Sequence, residues 1–100
     1  VIININNYQV GAVIAEQYRS ELGDFLINKY QAKIDFILIV NLPRGSYSLR
    51  GIKKSIHLGK ISKEIDPLGG GHAGAAGFPI NANTIWILEK IVEELKSILL

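Results

Sequence analysis

The amino-acid sequence predicts an α+β domain with α/β-type layers, a mixed sheet of about five strands flanked by three helices. Three observations predict it. Short runs rich in Ile, Val, Tyr and Phe are bounded by turn residues, other stretches carry helical spacing, and the two kinds alternate irregularly along only 100 residues. A chain of that length fits one domain.

Residues 1–5 and 8–15 are β-rich runs separated by Asn6-Asn7. Asparagine tolerates positive φ, so the pair reads as a two-residue hairpin turn. Ser20 is placed to cap a helix with Leu22, Phe25, Leu26 and Tyr30 on one face, although Gly23 weakens its interior. Residues 35–40 form a nearly continuous apolar run, the pattern of a strand buried on both faces. Pro43-Arg44-Gly45 reads as a turn, after which residues 46–50 return antiparallel. A short helix over residues 58–65 is closed by Asp66-Pro67, and a glycine-rich loop leads to a strand over residues 75–80. From Thr84 a last helix is expected to turn Ile85, Leu88, Val92, Leu95 and Leu99 toward the core. Trp86 then falls on the polar side with Lys90, Glu93 and Ser97, and is expected to pack on the segment before Thr84 rather than on a partner.

Composition narrows the function classes. Hydrophobic residues make up 48% of the chain and mean hydropathy is +0.22. That surplus suggests apolar surface covered by a partner or by a missing part of the same protein, and it admits a homodimer. There is no cysteine, which excludes disulfides and thiolate metal sites and fits a cytoplasmic location. No apolar run reaches the roughly 20 residues of a membrane span, so no membrane partner is expected. The chain starts at Val1, contains no methionine and shows no leader pattern, so it reads as part of something longer.

Net charge is +2, but its distribution matters more than its sum. Between Asp35 and Glu64 there is no acidic residue, while Arg44, Arg50, Lys53, Lys54, Lys60 and Lys63 all fall there. An anionic ligand needs such a local excess; the same residues also fit an ordinary solvated face. Within the stretch from Gly69 to Phe78, consecutive glycines can turn their amides toward one point and cradle an oxyanion. His72 follows directly and can donate a hydrogen bond to an anion. Taken alone, these residues also fit a mobile loop.

The stretch closely resembles the signature of the DHH-associated C-terminal domain of DHH-family phosphoesterases. Every fixed position of Gly-Gly-Gly-His-x-x-Ala-Ala-Gly-Phe is matched from Gly69 to Phe78. Ser20-Glu21-Leu22-Gly23 is similar to the family's Ser-Glu-Val-Gly helix start, Asp35-Phe36 to its Ala-Asp-Phe strand opening, and Ser48-Leu49-Arg50 to its Ser-Leu-Arg strand. These blocks stand in family order over residues 8–80. Two departures bear on substrate preference: Gly51 replaces the usual serine after Arg50, and three glycines behind Leu68 replace four.

The resemblance implies a division of labour. In the family an N-terminal domain holds two divalent metals, Mn2+ or Mg2+, on Asp and His ligands, and metal-activated water attacks a phosphate ester. The C-terminal domain grips the substrate's nucleotide and phosphates. Carried over residue by residue, Arg50 and His72 become the phosphate contacts, with Ser48 beside them and Gly69, Gly70 and Gly71 supplying backbone. Arginine suits the role because its planar fork holds two phosphate oxygens and stays charged. His57 has no motif support and reads as a surface residue. Asp24, Asp35 and Asp66 are not arranged with a histidine at ligand spacing, so neither a metal or cofactor site nor a catalytic residue is expected in this chain. The expected partners are an oligonucleotide or nucleotide substrate and the N-terminal DHH catalytic domain of the same polypeptide, a RecJ-like or oligoribonuclease-like 3′–5′ exonuclease. The alternative is a free-standing nucleic-acid-binding module. A related domain at the C-terminus of alanyl-tRNA synthetase binds tRNA and typically carries Arg where His72 stands.

Overall fold

The computed structural model describes residues 1–15 and 33–99. The expected helix beginning at Ser20 lies outside them. Strand β1 (Ile2–Ile5) turns back through Asn6 and Asn7, whose φ values of 48° and 70° are those of a type I′ turn, into β2 (Tyr8–Ile14). Strand β3 (Phe36–Asn41) runs parallel to β2, with Val10 opposite Phe36. Gly45, at φ 62°, closes the turn into β4 (Ser46–Gly51), which pairs antiparallel with β3. Helix α1 (Leu58–Ile65) follows, then β5 (Gly70–Gly71), β6 (Ala75–Pro79) and helix α2 (Ile85–Leu99). The sheet order is β1-β2-β3-β4-β6-β5, antiparallel at every pairing except β2 with β3.

The sheet thus has six strands rather than about five. The extra one, β5, lies inside the glycine stretch and escapes pattern reading because glycine has no side chain to alternate. It forms because the chain folds back on β6, pairing Gly70 with Gly77 and Gly71 with Ala76.

One face of the sheet carries the main core. Phe36, Leu38 and Val40 of β3 and Tyr47 and Leu49 of β4 meet Leu58 and Ile61 of α1 and Ile87 and Ile91 of α2. Ile37 and Ile39 are buried on the opposite face, so β3 is covered on both sides as its continuous apolar run requires.

Helix α2 is where the structure corrects the periodicity. Ile87 and Ile91 enter the core, whereas Ile85, Val92, Leu95 and Leu99 are exposed and Leu88 is half-buried. Two apolar stripes run along this helix, and spacing alone cannot choose between them. Its N-terminal anchor makes the choice. Thr84 is fully buried, its Oγ1 donating to the Pro79 carbonyl (2.8 Å) and accepting from the Asn81 amide (2.9 Å). The Tyr47 hydroxyl donates to the Thr84 carbonyl (2.8 Å), and the Asn81 side-chain amide donates to buried Asp66 (2.8 Å). With Thr84 held inward, the residues one and two turns on, Ile87 and Ile91, must face the sheet. Trp86 is half-buried against the chain's own core, with the Lys90 ammonium 5.3 Å from its ring centroid.

Burial pushes the Tyr47 phenol above its ordinary range, so it stays a neutral donor to Thr84. Tyr47→Phe should keep the 4.9 Å ring contact with Phe78 while leaving the Thr84 carbonyl without its donor. The expected loss is about 1 kcal/mol. Thermal unfolding followed by circular dichroism should show a midpoint roughly 4–8 °C lower.

Candidate anion-binding face

Strand β4 alternates, sending Tyr47 and Leu49 into the core and Ser48 and Arg50 to the opposite face. Its register then assembles two neighbouring rows across the sheet. Ser48 lies opposite Gly77, which lies opposite Gly70. Arg50 lies opposite Ala75, whose carbonyl accepts the His72 amide at 2.8 Å. The structure therefore brings Ser48, Arg50, Gly70 and His72 to one end of one sheet. Arg50 and His72 are both exposed. Beside Ser48, two consecutive strands present no side chain at all. Around the position of a Gly70 Cβ there is open space, so a bulky group can reach the backbone there.

The Gly69 amide is spent on the Asp66 carbonyl (2.8 Å), while Gly70 pairs with Gly77 and Gly71 with Ala76 in the β5–β6 hairpin. What these glycines provide is close approach. A Cβ on Gly69 would lie 2.2 Å from the Ser62 carbonyl oxygen, and one on Gly59 would lie 2.7 Å from the Gly71 carbonyl oxygen. Gly71 also sits at φ 137°, where its Cβ would strike Ala76. Helix α1 thus lies directly on the backbone of the β5–β6 hairpin.

That packing fixes the turn after His72 from three directions. The carbonyls of His72, Ala73 and Gly74 accept from the amides of Gly59 (3.0 Å), Leu58 (2.9 Å) and Gly51 (2.9 Å). The remaining first-turn amide of α1, that of Lys60, donates to His57 Nδ1 at 3.2 Å. His57 is exposed as expected, yet it is the N-cap of α1. The N-terminus of α1 is consequently satisfied within the chain and offers no anion site of its own. The amides of Ala73 and Gly74 have no partner among the described residues. Both residues line a pocket of about 420 Å³ whose other walls are Gly51, Ile52, Lys53, Lys54 and Ile56. The sequence signal for this pocket was the Lys53-Lys54 pair; the role of the turn amides had none.

The basic stretch is less free than it looks in sequence. Lys53 Nζ lies 2.6 Å from Asp35, whose second carboxylate oxygen accepts the Gln9 amide at 2.8 Å. The Lys53 ammonium, helped by that amide, holds the Asp35 carboxyl below its ordinary range against a smaller opposing effect of burial. Lys54, in the pocket wall, has no ion-pair partner among the described residues. No three His, Cys, Asp or Glu side chains among the described residues are grouped to hold a metal. No helix among them is long and apolar enough to cross a membrane.

No family model matches the chain. Over 76 residues it is 38% identical to the oligoribonuclease NrnB of Bacillus subtilis (strain 168), a match covering 76% of this chain and 18% of that protein. The chain therefore spans less than a fifth of that relative's length. Its backbone also superposes on the crystal structure of an uncharacterized protein from Helicobacter pylori G27 with a TM-score of 0.66. Sequence identity there is 21%, over 93% of this chain and 27% of that one, so the likeness is one of fold.

Two expectations follow from this geometry. Gly70→Ala should leave stability within about 0.5 kcal/mol of wild type, whereas Gly69→Ala forces backbone apart and should cost roughly 1–3 kcal/mol or more. Urea unfolding of both variants checks the contrast. The Asp35 carboxyl has a depressed folded-state pKa, so its contribution is full above its ordinary titration range and lost as pH falls through the folded value. Wild type should exceed Asp35→Asn in stability at pH 7, and the difference should vanish in strong acid. A difference independent of pH would show that the carboxylate's charge contributes nothing.

Proposed function

We propose that this chain is the substrate-gripping domain of a DHH-family, metal-dependent phosphoesterase that acts on short oligonucleotides or nucleotides. The observation that carries the reading is the register that gathers Ser48, Arg50, Gly70 and His72 at one end of the sheet. These are the positions at which the chain matches the family's phosphate-contacting motifs. Identity of 38% to an oligoribonuclease over three quarters of the chain supports the same substrate class.

In this reading Arg50 holds two oxygens of one phosphate through its planar fork. His72 donates from the adjoining turn. The unpartnered amides of Ala73 and Gly74, with Lys54, extend the donor set toward the pocket. The side-chain-free rows at Gly70 and Gly77 let the substrate backbone lie close to the sheet. The chain binds and orients, and water activation by Mn2+ or Mg2+ belongs to a catalytic domain elsewhere in the polypeptide.

Titration of the chain with a 5′-phosphorylated dinucleotide, followed by amide NMR shifts, tests the reading. Binding should be salt-sensitive with a Kd on the order of 10⁻⁴ M or weaker, because phosphate contacts dominate it. Shifts should concentrate at Ser48, Arg50, Gly70 and residues 72–74. Arg50→Ala removes a charge-assisted contact worth roughly 1.5–3 kcal/mol, or about 10- to 150-fold in affinity. Lys53→Ala and Lys54→Ala should cost far less. Equal small losses at all three positions would replace the specific Arg50 contact with diffuse attraction. A salt-independent nanomolar complex would favour a stand-alone nucleic-acid-binding module.

A further inference from the structure

Beside the residues that α2 buries against the sheet runs a second apolar stripe, in which Leu88 is half-buried against the core and the rest is exposed. Ile85, Leu88, Val92, Leu95 and Leu99 recur at spacings of three, four, three and four, the a and d positions of a heptad. Ile85, Val92, Leu95 and Leu99 are 43, 47, 38 and 82% exposed. The apolar surface continues beyond the helix. A groove of about 170 Å³ between Leu95 and the sheet reaches Val40 and Ile14, and Ile14 is itself 40% exposed. Single exposed aliphatics are ordinary, but a contiguous stripe in heptad register is a helix-docking surface.

We propose that this surface joins two copies of the chain, with their α2 helices antiparallel about a two-fold axis midway between Val92 and Leu95. The charges beside the stripe select that occupant and that orientation. With Ile85, Val92 and Leu99 at a positions, Glu89 and Lys96 occupy the two e positions. In an antiparallel pair, e positions face e positions. Core a positions then pack on d positions, so Val92 meets Leu95 and Leu88 meets Leu99 across the axis. In that register Glu89 and Lys96 lie on opposite sides of the axis, so each carboxylate meets an ammonium, twice per dimer. A parallel pair would instead set these charges against g positions, which are Ile91 and Ile98.

The 15-residue helix is about 22 Å long, two heptads, so the interface is small. A Kd on the order of 10–100 µM is expected for a contact at the lower end of specific interface sizes. All the residues to be changed are exposed, and circular dichroism checks that each variant folds.

Sedimentation equilibrium of the chain up to about 1 mM supplies the test. Wild type should dimerise, and Val92→Glu, which places two carboxylates in the core of the interface, should be monomeric. Glu89→Lys and Lys96→Glu should each weaken the dimer about tenfold or more, and the double reversal should restore it to within about threefold of wild type. A wild-type monomer throughout, single reversals without effect, or a double reversal no tighter than the singles would each overturn the proposal.

Discussion

The rest of the structure depends on direct backbone contact between α1 and the β5–β6 hairpin. Helix and strand normally stand apart by the thickness of their side chains, and here Gly59, Gly69 and Gly71 remove that layer. The approach places the first amides of α1 within reach of the His72 and Ala73 carbonyls. Those bonds settle two accounts together: the helix N-terminus finds its acceptors, and the hairpin turn is locked. A glycine run that in isolation would be the most flexible part of the chain becomes one of its best-tethered parts.

The candidate site inherits its geometry from that tether. Arg50 belongs to β4 and His72 to the turn between β5 and β6, and the two are related through β6 and through the Gly51–Gly74 hydrogen bond. Any slip of β6 by one residue would send Ser48 and Arg50 past the wrong partners, since alternate residues face opposite sides. Tyr47, on the core side of the same strand, guards against the slip by packing on Phe78 and hydrogen-bonding Thr84. The side chains that grip the core and those that face the candidate site thus alternate along one strand, and the same pairing aligns both sets.

Electrostatics are organised with similar economy. Lys53 is held by Asp35, tying the segment after β4 to the start of β3, and one of six clustered cations is thereby neutralised. Among the described residues Arg50 and Lys54 have no ion-pair partner, and the turn amides of Ala73 and Gly74 find no acceptor. Charge counting along the sequence overstated the field, because the neutralising partner lies 18 residues away.

The sequence by itself determined the elements whose cause is local. The Asn6-Asn7 hairpin, the doubly buried β3, the return of β4 and the limits of α1 all stand where turn chemistry and residue period place them. It also placed Ser48, Arg50 and His72 among the residues that converge, through their motifs. Only the tertiary structure decided that the glycines act by close packing, because a missing Cβ has no periodicity and its meaning lies in the atom it would have struck. Only the tertiary structure made His57 a cap and left the Ala73 and Gly74 amides without a partner among the described residues. The facing of α2 was decided the same way. Two apolar stripes satisfy the helical period equally well, and the buried Thr84 anchor turned one to the sheet and left the other to solvent.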